Sequence, residues 1–106
     1  MANGDQNLFD KISDEFIDAG EVQPGTMMGF PCLRVRNTYI ACKDKSNGTL
    51  VVKLTEKRVE NLVRLGQAKA FAPAGRVFKR WASMETFDEG LWRTVIREAR
   101  KLAEES

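Results

Sequence analysis

From Phe71 to Trp81 the chain reads Phe-Ala-Pro-Ala-Gly-Arg-Val-Phe-Lys-Arg-Trp, which sets three cations and three aromatic rings around one turn. This mixture suits recognition rather than bond-making. Guanidinium and ammonium groups pair with carboxylates or phosphates, and Phe and Trp rings stack on flat groups or anchor in a partner's pockets. Strand alternation sets Val77, Lys79 and Trp81 on one face and Phe78 and Arg80 on the other. One ring is then expected to anchor the core, and the other face to display cations beside a ring. Arg76, Phe78, Lys79, Arg80 and Trp81 are the candidate binding residues.

Nothing else in the chain assembles into catalytic chemistry. There is no histidine, so the commonest general base and commonest metal ligand are both missing. Ser13, Ser46, Ser83 and Ser106 have no evident base beside them, and the carboxylates fall on helix faces or helix starts. Lys79 and Arg80, adjacent on a strand, point to opposite faces. Gly25-x-x-x-Gly29 lacks the lysine and the following helix of a phosphate loop. Cys32 and Cys42 are too few for a zinc site and fit no redox spacing. The expectation is a non-enzymatic protein with no metal and no cofactor.

The elements that must carry the segment follow from periodicity. Leu8, Phe9, Ile12, Phe16 and Ile17 recur at helical spacing, with Asp5 to cap the start and Gly20 to end it. Asp10, Asp14 and Asp18 then line one solvent edge. Pro24-Gly25 breaks the chain, and three strands follow. A turn at Asn37-Thr38 pairs Val35 with Ile40 and Leu33 with Cys42, leaving Cys32 on the other face. The two thiols therefore point apart, and no disulfide joins them without rearrangement.

A two-residue Asn47-Gly48 turn would set Leu50, Val52 and Leu54 against Lys45, Lys43 and Ala41. A three-residue loop with Gly48 left-handed instead pairs Cys42 with Val52 and Ile40 with Leu54, keeping one face apolar, and is preferred. Thr55 reads as an N-cap and Gly66 as the stop of a helix whose apolar side is Val59, Leu62, Val63 and Leu65. Residues 68–72 and 77–84 are strands around Pro73-Ala74-Gly75. Thr86-x-x-Glu89 reads as a capping box. Leu91, Trp92, Val95, Ile96, Ala99 and Leu102 form the buried stripe of the last helix. Met27-Met28 is expected to fill the core, and Gly29 to mark a bulge or close approach.

The whole is an α+β domain, order α-β-β-β-α-β-β-α, with an antiparallel five-stranded sheet. A length of 106 residues makes residues 1–106 a single domain. Charged residues form 30% and hydrophobic ones 42% of the chain, which excludes a disordered polymer. Neither a membrane-length apolar run nor a signal peptide is present, so the expected compartment is the cytoplasm. The net charge of +2 hides an asymmetry: residues 1–25 carry one basic and six acidic side chains, residues 26–85 twelve basic and four acidic. An acidic helix beside a basic sheet face accounts for this, as does a middle that steers an acidic partner.

Met27-Met28-Gly29-Phe30, Tyr39-Ile40-Ala41, Leu50-Val51-Val52-Lys53-Leu54 and Phe71-x-Pro-x-Gly75-Arg76-x-x-Lys79-x-Trp81 together resemble the TfoX amino-terminal domain family. The likeness runs from about residue 8 to residue 103, and its most specific part is the Phe-x-Pro-x-Gly-Arg block with the lysine and tryptophan after it. It implies a stand-alone domain with a secretion-chaperone-like fold and regulatory character, and it brings no catalytic residue. The expected activity is adaptor-like binding of a protein. Nucleic-acid binding through the basic middle is the alternative, and homodimerisation through edge strands and Met27-Met28 a further option. No membrane association is expected.

Overall fold

The computed structural model describes residues 7–27, 29–44 and 48–105. Its elements are α1 (Leu8–Asp18), β1 (Gln23–Met27), β2 (Phe30–Val35), β3 (Thr38–Lys43), β4 (Leu50–Lys53), α2 (Glu56–Arg64), β5 (Lys69–Phe71), a 3-10 turn (Pro73–Gly75), β6 (Phe78–Met84) and α3 (Glu89–Glu105). The strands form one antiparallel sheet in the order β1-β2-β3-β4-β6-β5. The α+β class stands, but the sheet has six strands rather than five. The added strand is β1, which contains the expected break at Pro24-Gly25. β1 is an edge strand, where the N–H that proline lacks is not required for pairing.

One face of the sheet carries the helices. Leu33, Ala41, Val52, Ala82 and Met84 lie under α1, α2 and α3, joined by Phe9, Ile12, Leu62, Trp92, Val95 and Ile96 in one buried cluster. Helical period predicts the stripes of α1 and α3, and Leu8, Phe9, Ile12 and Phe16, with Trp92, Val95, Ile96 and Ala99, are buried as expected, whereas Ile17, Leu91 and Leu102 at their margins are only half-buried. On α2 only Val59 and Leu62 are buried; Val63 and Leu65 are 40% and 60% exposed, because a short helix on the β5–β6 end of the sheet has room to bury a narrow stripe only.

Thr55 caps α2 as expected, its side chain accepting from the Arg58 N–H at 3.2 Å, and Gly66 stops it with φ 76°. The cap of α3 is Asp88 rather than Thr86: the Leu91 N–H donates to Asp88 Oδ1 at 3.1 Å. Thr86 instead offers its carbonyl to the Trp92 indole N–H at 2.9 Å. The expected Asp5 cap and Met28 lie outside the described residues. Met27 is 41% exposed rather than core, and Gly29 sits in the β1–β2 turn with φ 83°.

Two registers differ from expectation. The β2–β3 turn is Arg36-Asn37, one residue early, with Arg36 at φ 56°. The ladder pairs Val35 with Thr38 and Arg34 with Tyr39, then slips to pair Leu33 with Ala41 and Cys32 with Cys42. This bulge sets both Ile40 and Ala41 into the buried cluster. It also places the two thiols opposite each other on one face, where the sequence had them pointing apart. Cys42 pairs with Val51 and Ala41 with Val52, so neither Asn-Gly register applies. Gly48 is left-handed as expected, at φ 75°.

Tyr39 lies across the face opposite the helices and donates its hydroxyl to Thr26 O at 3.0 Å. A Cβ on Gly25 would stand 3.0 Å from its ring and 3.3 Å from Arg34 Cδ. Gly25→Val is therefore expected to cost about 1–3 kcal/mol by overpacking, read as a lower denaturant midpoint. Gly25→Ala should cost less, because the ring can tilt.

Ion pairs tie the helices together. Arg93 forks onto Glu15 at 3.0 Å and reaches Glu89 at 3.1 Å, while Lys11 reaches Glu89 at 2.9 Å. The expected pairing of an acidic helix with basic sheet residues is present in Lys43–Asp10, 3.2 Å, but most of the partners are on α3. The Arg93 bond to Glu15 and the Lys11 bond to Glu89 hold both carboxyls below their ordinary value of 4.5. A depressed carboxyl stabilises the fold above its unfolded pKa and loses that contribution as pH falls through the folded one. Arg93→Gln should lower the melting midpoint slightly at neutral pH, and the gap should close below pH 4.5. A gap that persists in acid would contradict this.

Candidate functional site

The segment singled out by composition forms the β5–β6 hairpin at one edge of the sheet. Its tip is built by Pro73-Ala74-Gly75. Ala74 at φ 55° and Gly75 at φ 82° are both left-handed, and the Arg76 N–H donates back to Pro73 O at 3.2 Å. A non-glycine residue in that region costs about 1–2 kcal/mol, so the tip holds a strained shape. That shape returns Arg76 over the Phe78 ring, 5.5 Å from its centroid. The other neighbour of Phe78 is Phe71, 5.9 Å away and tilted by 33°. The result is a cluster in which a guanidinium and a second ring both contact Phe78.

Beyond the cluster the ladder changes step. Ala70 pairs with Ala82 but Phe71 pairs with Phe78, so Lys79, Arg80 and Trp81 have no counterpart on β5. The five candidate residues therefore do not converge on one groove. Arg76 and Phe78 form the tip, and Trp81 pairs with Lys53 on the face away from the helices. Arg80 turns toward α3, lining a cleft of about 240 Å³ with Thr38, Ile40, Lys53, Ala99 and Leu102. That volume is below the ~300–1,000 Å³ of ordinary ligand pockets.

The expectation that one ring anchors the core is not met. Phe78 is 37% exposed and Trp81 half-buried; the core residues of β6 are Ala82 and Met84. Trp92 is fully buried, as its helical spacing indicates.

Cations without a carboxylate partner among the described residues occur at this end as they do at Arg36, Lys57, Arg64, Arg97 and Lys101. The ion pairs among the described residues engage Lys11, Lys43, Arg58, Lys69, Arg93 and Arg100. Lys53, Arg76, Lys79 and Arg80 have no carboxylate partner among those residues. Arg76 and Lys79 thus flank in sequence an exposed apolar tip that includes Val77, 53% exposed, while Arg80 and Lys53 line the cleft beside α3. Such a surface can accept carboxylates at its flanks and apolar side chains at its centre.

Lys53 was not singled out by sequence, although its place after Val51-Val52 in a short strand signals the outward face. Arg34 is also basic and lies on the outward face, but it is engaged internally, donating to Pro24 O and to Gln23 Oε1 at 3.2 and 2.8 Å. Among the described residues no cluster of three or more Cys, Asp or Glu could hold a metal, and no helix is long and apolar enough to cross a membrane. Compared with known proteins, the chain matches no family model, no curated protein and no solved structure.

Proposed function

We propose that this chain is a small regulatory or adaptor domain whose β5–β6 hairpin docks an acidic, apolar-centred surface of another protein. The observation that supports it is the Arg76–Phe78–Phe71 cluster at the exposed hairpin tip, followed in sequence by Lys79, which has no carboxylate partner among the described residues. Exposed aromatic and arginine side chains are the residue types that dominate binding energy at protein interfaces. The edge position of β5 adds unpaired backbone groups that a partner can meet. The likeness of Phe71-x-Pro-x-Gly75-Arg76 and Lys79-x-Trp81 to the TfoX amino-terminal domain family supports a regulatory protein of that family, with a secretion-chaperone-like fold and acting in the cytoplasm.

The reading is tested by affinity capture from nuclease-treated cell extract, comparing wild type with Arg76→Ala/Phe78→Ala after both are shown to fold. A defined protein retained by the wild type and lost by the variant is the expected result. Equal retention by both forms removes the hairpin from the interface. Recovery from untreated extract that is absent from the nuclease-treated one, together with oligonucleotide binding that weakens steeply with salt, would establish nucleic acid as the partner instead.

A further inference from the structure

Cys32 and Cys42 are direct partners across β2 and β3, with their sulfurs 2.7 Å apart. Direct antiparallel partners have Cα separations of about 4.5–5.5 Å, inside the ~4.4–6.8 Å span of disulfides. Both side chains lie on the sheet face away from the helices, in a row that continues to Val51 and Ser83. Cys32 is buried and Cys42 is half-buried. The bulge at Ile40-Ala41 is what brings them level: without that slip Cys42 would stand opposite another residue.

We propose that Cys32 and Cys42 are a reversible dithiol–disulfide site that exchanges with low-molecular-weight disulfides such as oxidised glutathione. Cys42, the more exposed thiol, attacks one glutathione sulfur as its thiolate and releases one glutathione thiolate. Cys32, deprotonated in turn, attacks Cys42 Sγ in the mixed disulfide and releases the second. One S–S bond forms in the protein and one is broken in the oxidant, and the two thiol protons end on two glutathione molecules. Burial pushes both thiols above their ordinary value of 9.0, and Cys42 furthest because its bond with Cys32 raises it as well, so access to the oxidant rather than acidity makes Cys42 the first attacker. Thiolate is therefore scarce at neutral pH and exchange is slow, so equilibrium rather than rate is the useful readout.

The test equilibrates the whole chain in glutathione buffers of graded redox ratio, native and in denaturant, followed by acid quenching, alkylation and intact mass measurement. The native protein is expected to lose two hydrogens without retaining glutathione, at a ratio at least ~10-fold more reducing than the unfolded chain needs. Cys42→Ser should give only a glutathione adduct or no reaction. If that variant does not fold, the native-against-denatured comparison on the wild type decides alone. Equal midpoints in the two states, a lasting mixed disulfide, or an intermolecular dimer as the oxidised product would overturn the proposal.

Discussion

Trp92→Ala is expected to destabilise the protein by about 3–5 kcal/mol, the range for removing a large aromatic from a close-packed core. Trp92 is fully buried on α3, its indole N–H donates to Thr86 O at 2.9 Å, and Phe87 packs on it at 5.4 Å between centroids. The surrounding cluster draws on every helix and on the central strands, so collapse around the void is limited. For a domain of this size each kcal/mol lowers the melting midpoint by roughly 4–8 °C. The variant should therefore melt at least ~12 °C below the wild type, or be unfolded at 37 °C if total stability is at the low end of the usual range. Trp92→Phe keeps most of the ring and loses the N–H, whose net worth is about 0.5–1.5 kcal/mol. It should fall between the two. A Trp92→Ala midpoint within a few degrees of wild type would show that the centre of the core lies elsewhere.

The second large effect concerns binding. Arg76→Ala/Phe78→Ala is expected to weaken the protein partner by at least ~30-fold, the equivalent of a hot-spot loss of about 2 kcal/mol or more. The same change should move the melting midpoint little, because both side chains are exposed and neither belongs to the buried cluster. Lys79→Ala and Arg80→Ala should act differently from the cluster, lowering the association rate and flattening its salt dependence more than they shorten the lifetime of the complex. Lys101→Ala, an exposed cation on α3, serves as the control and should change neither quantity. A loss of affinity that tracks loss of stability would mean that the variant is simply unfolded.

The sequence disclosed the helices better than the strands, for a physical reason. The stripe Trp92, Val95, Ile96 and Ala99 repeats at the helical period, and Thr55 and Gly66 mark helix ends by local chemistry alone. Strand pairing depends on contacts between residues distant in sequence. Pro24-Gly25 reads locally as a break, and only its edge position makes it a strand. The Arg36-Asn37 turn requires φ 56° at an arginine, which no local preference indicates. The bulge at Ile40-Ala41 answers a tertiary demand that both residues reach the helices. An error of one residue in that ribbon separated Cys32 from Cys42, since a one-residue slip turns every side chain to the other face.

The candidate site was legible as a composition but not as a shape. Cations and rings crowd between Phe71 and Trp81 in a way that any reading of the chain would notice. Simple alternation then assigned one ring to the core, and the step between Ala70 and Phe71 defeats that alternation. Ala82 and Met84 fill the buried end of β6, so Phe78 and Trp81 are left outside it. Lys53 joins the surface only through its pairing with Trp81 across β4 and β6.

Photo-crosslinking from single positions in otherwise wild-type protein tests the central claim most directly. A photoreactive residue replaces Val77, exposed at the hairpin tip, or Asp14, exposed on α1 near the opposite end of the sheet. The account predicts a discrete protein adduct from position 77, resistant to nuclease, mapping to an acidic segment of the partner and absent from position 14. Adducts of equal yield from both positions, or from position 14 alone, would contradict it.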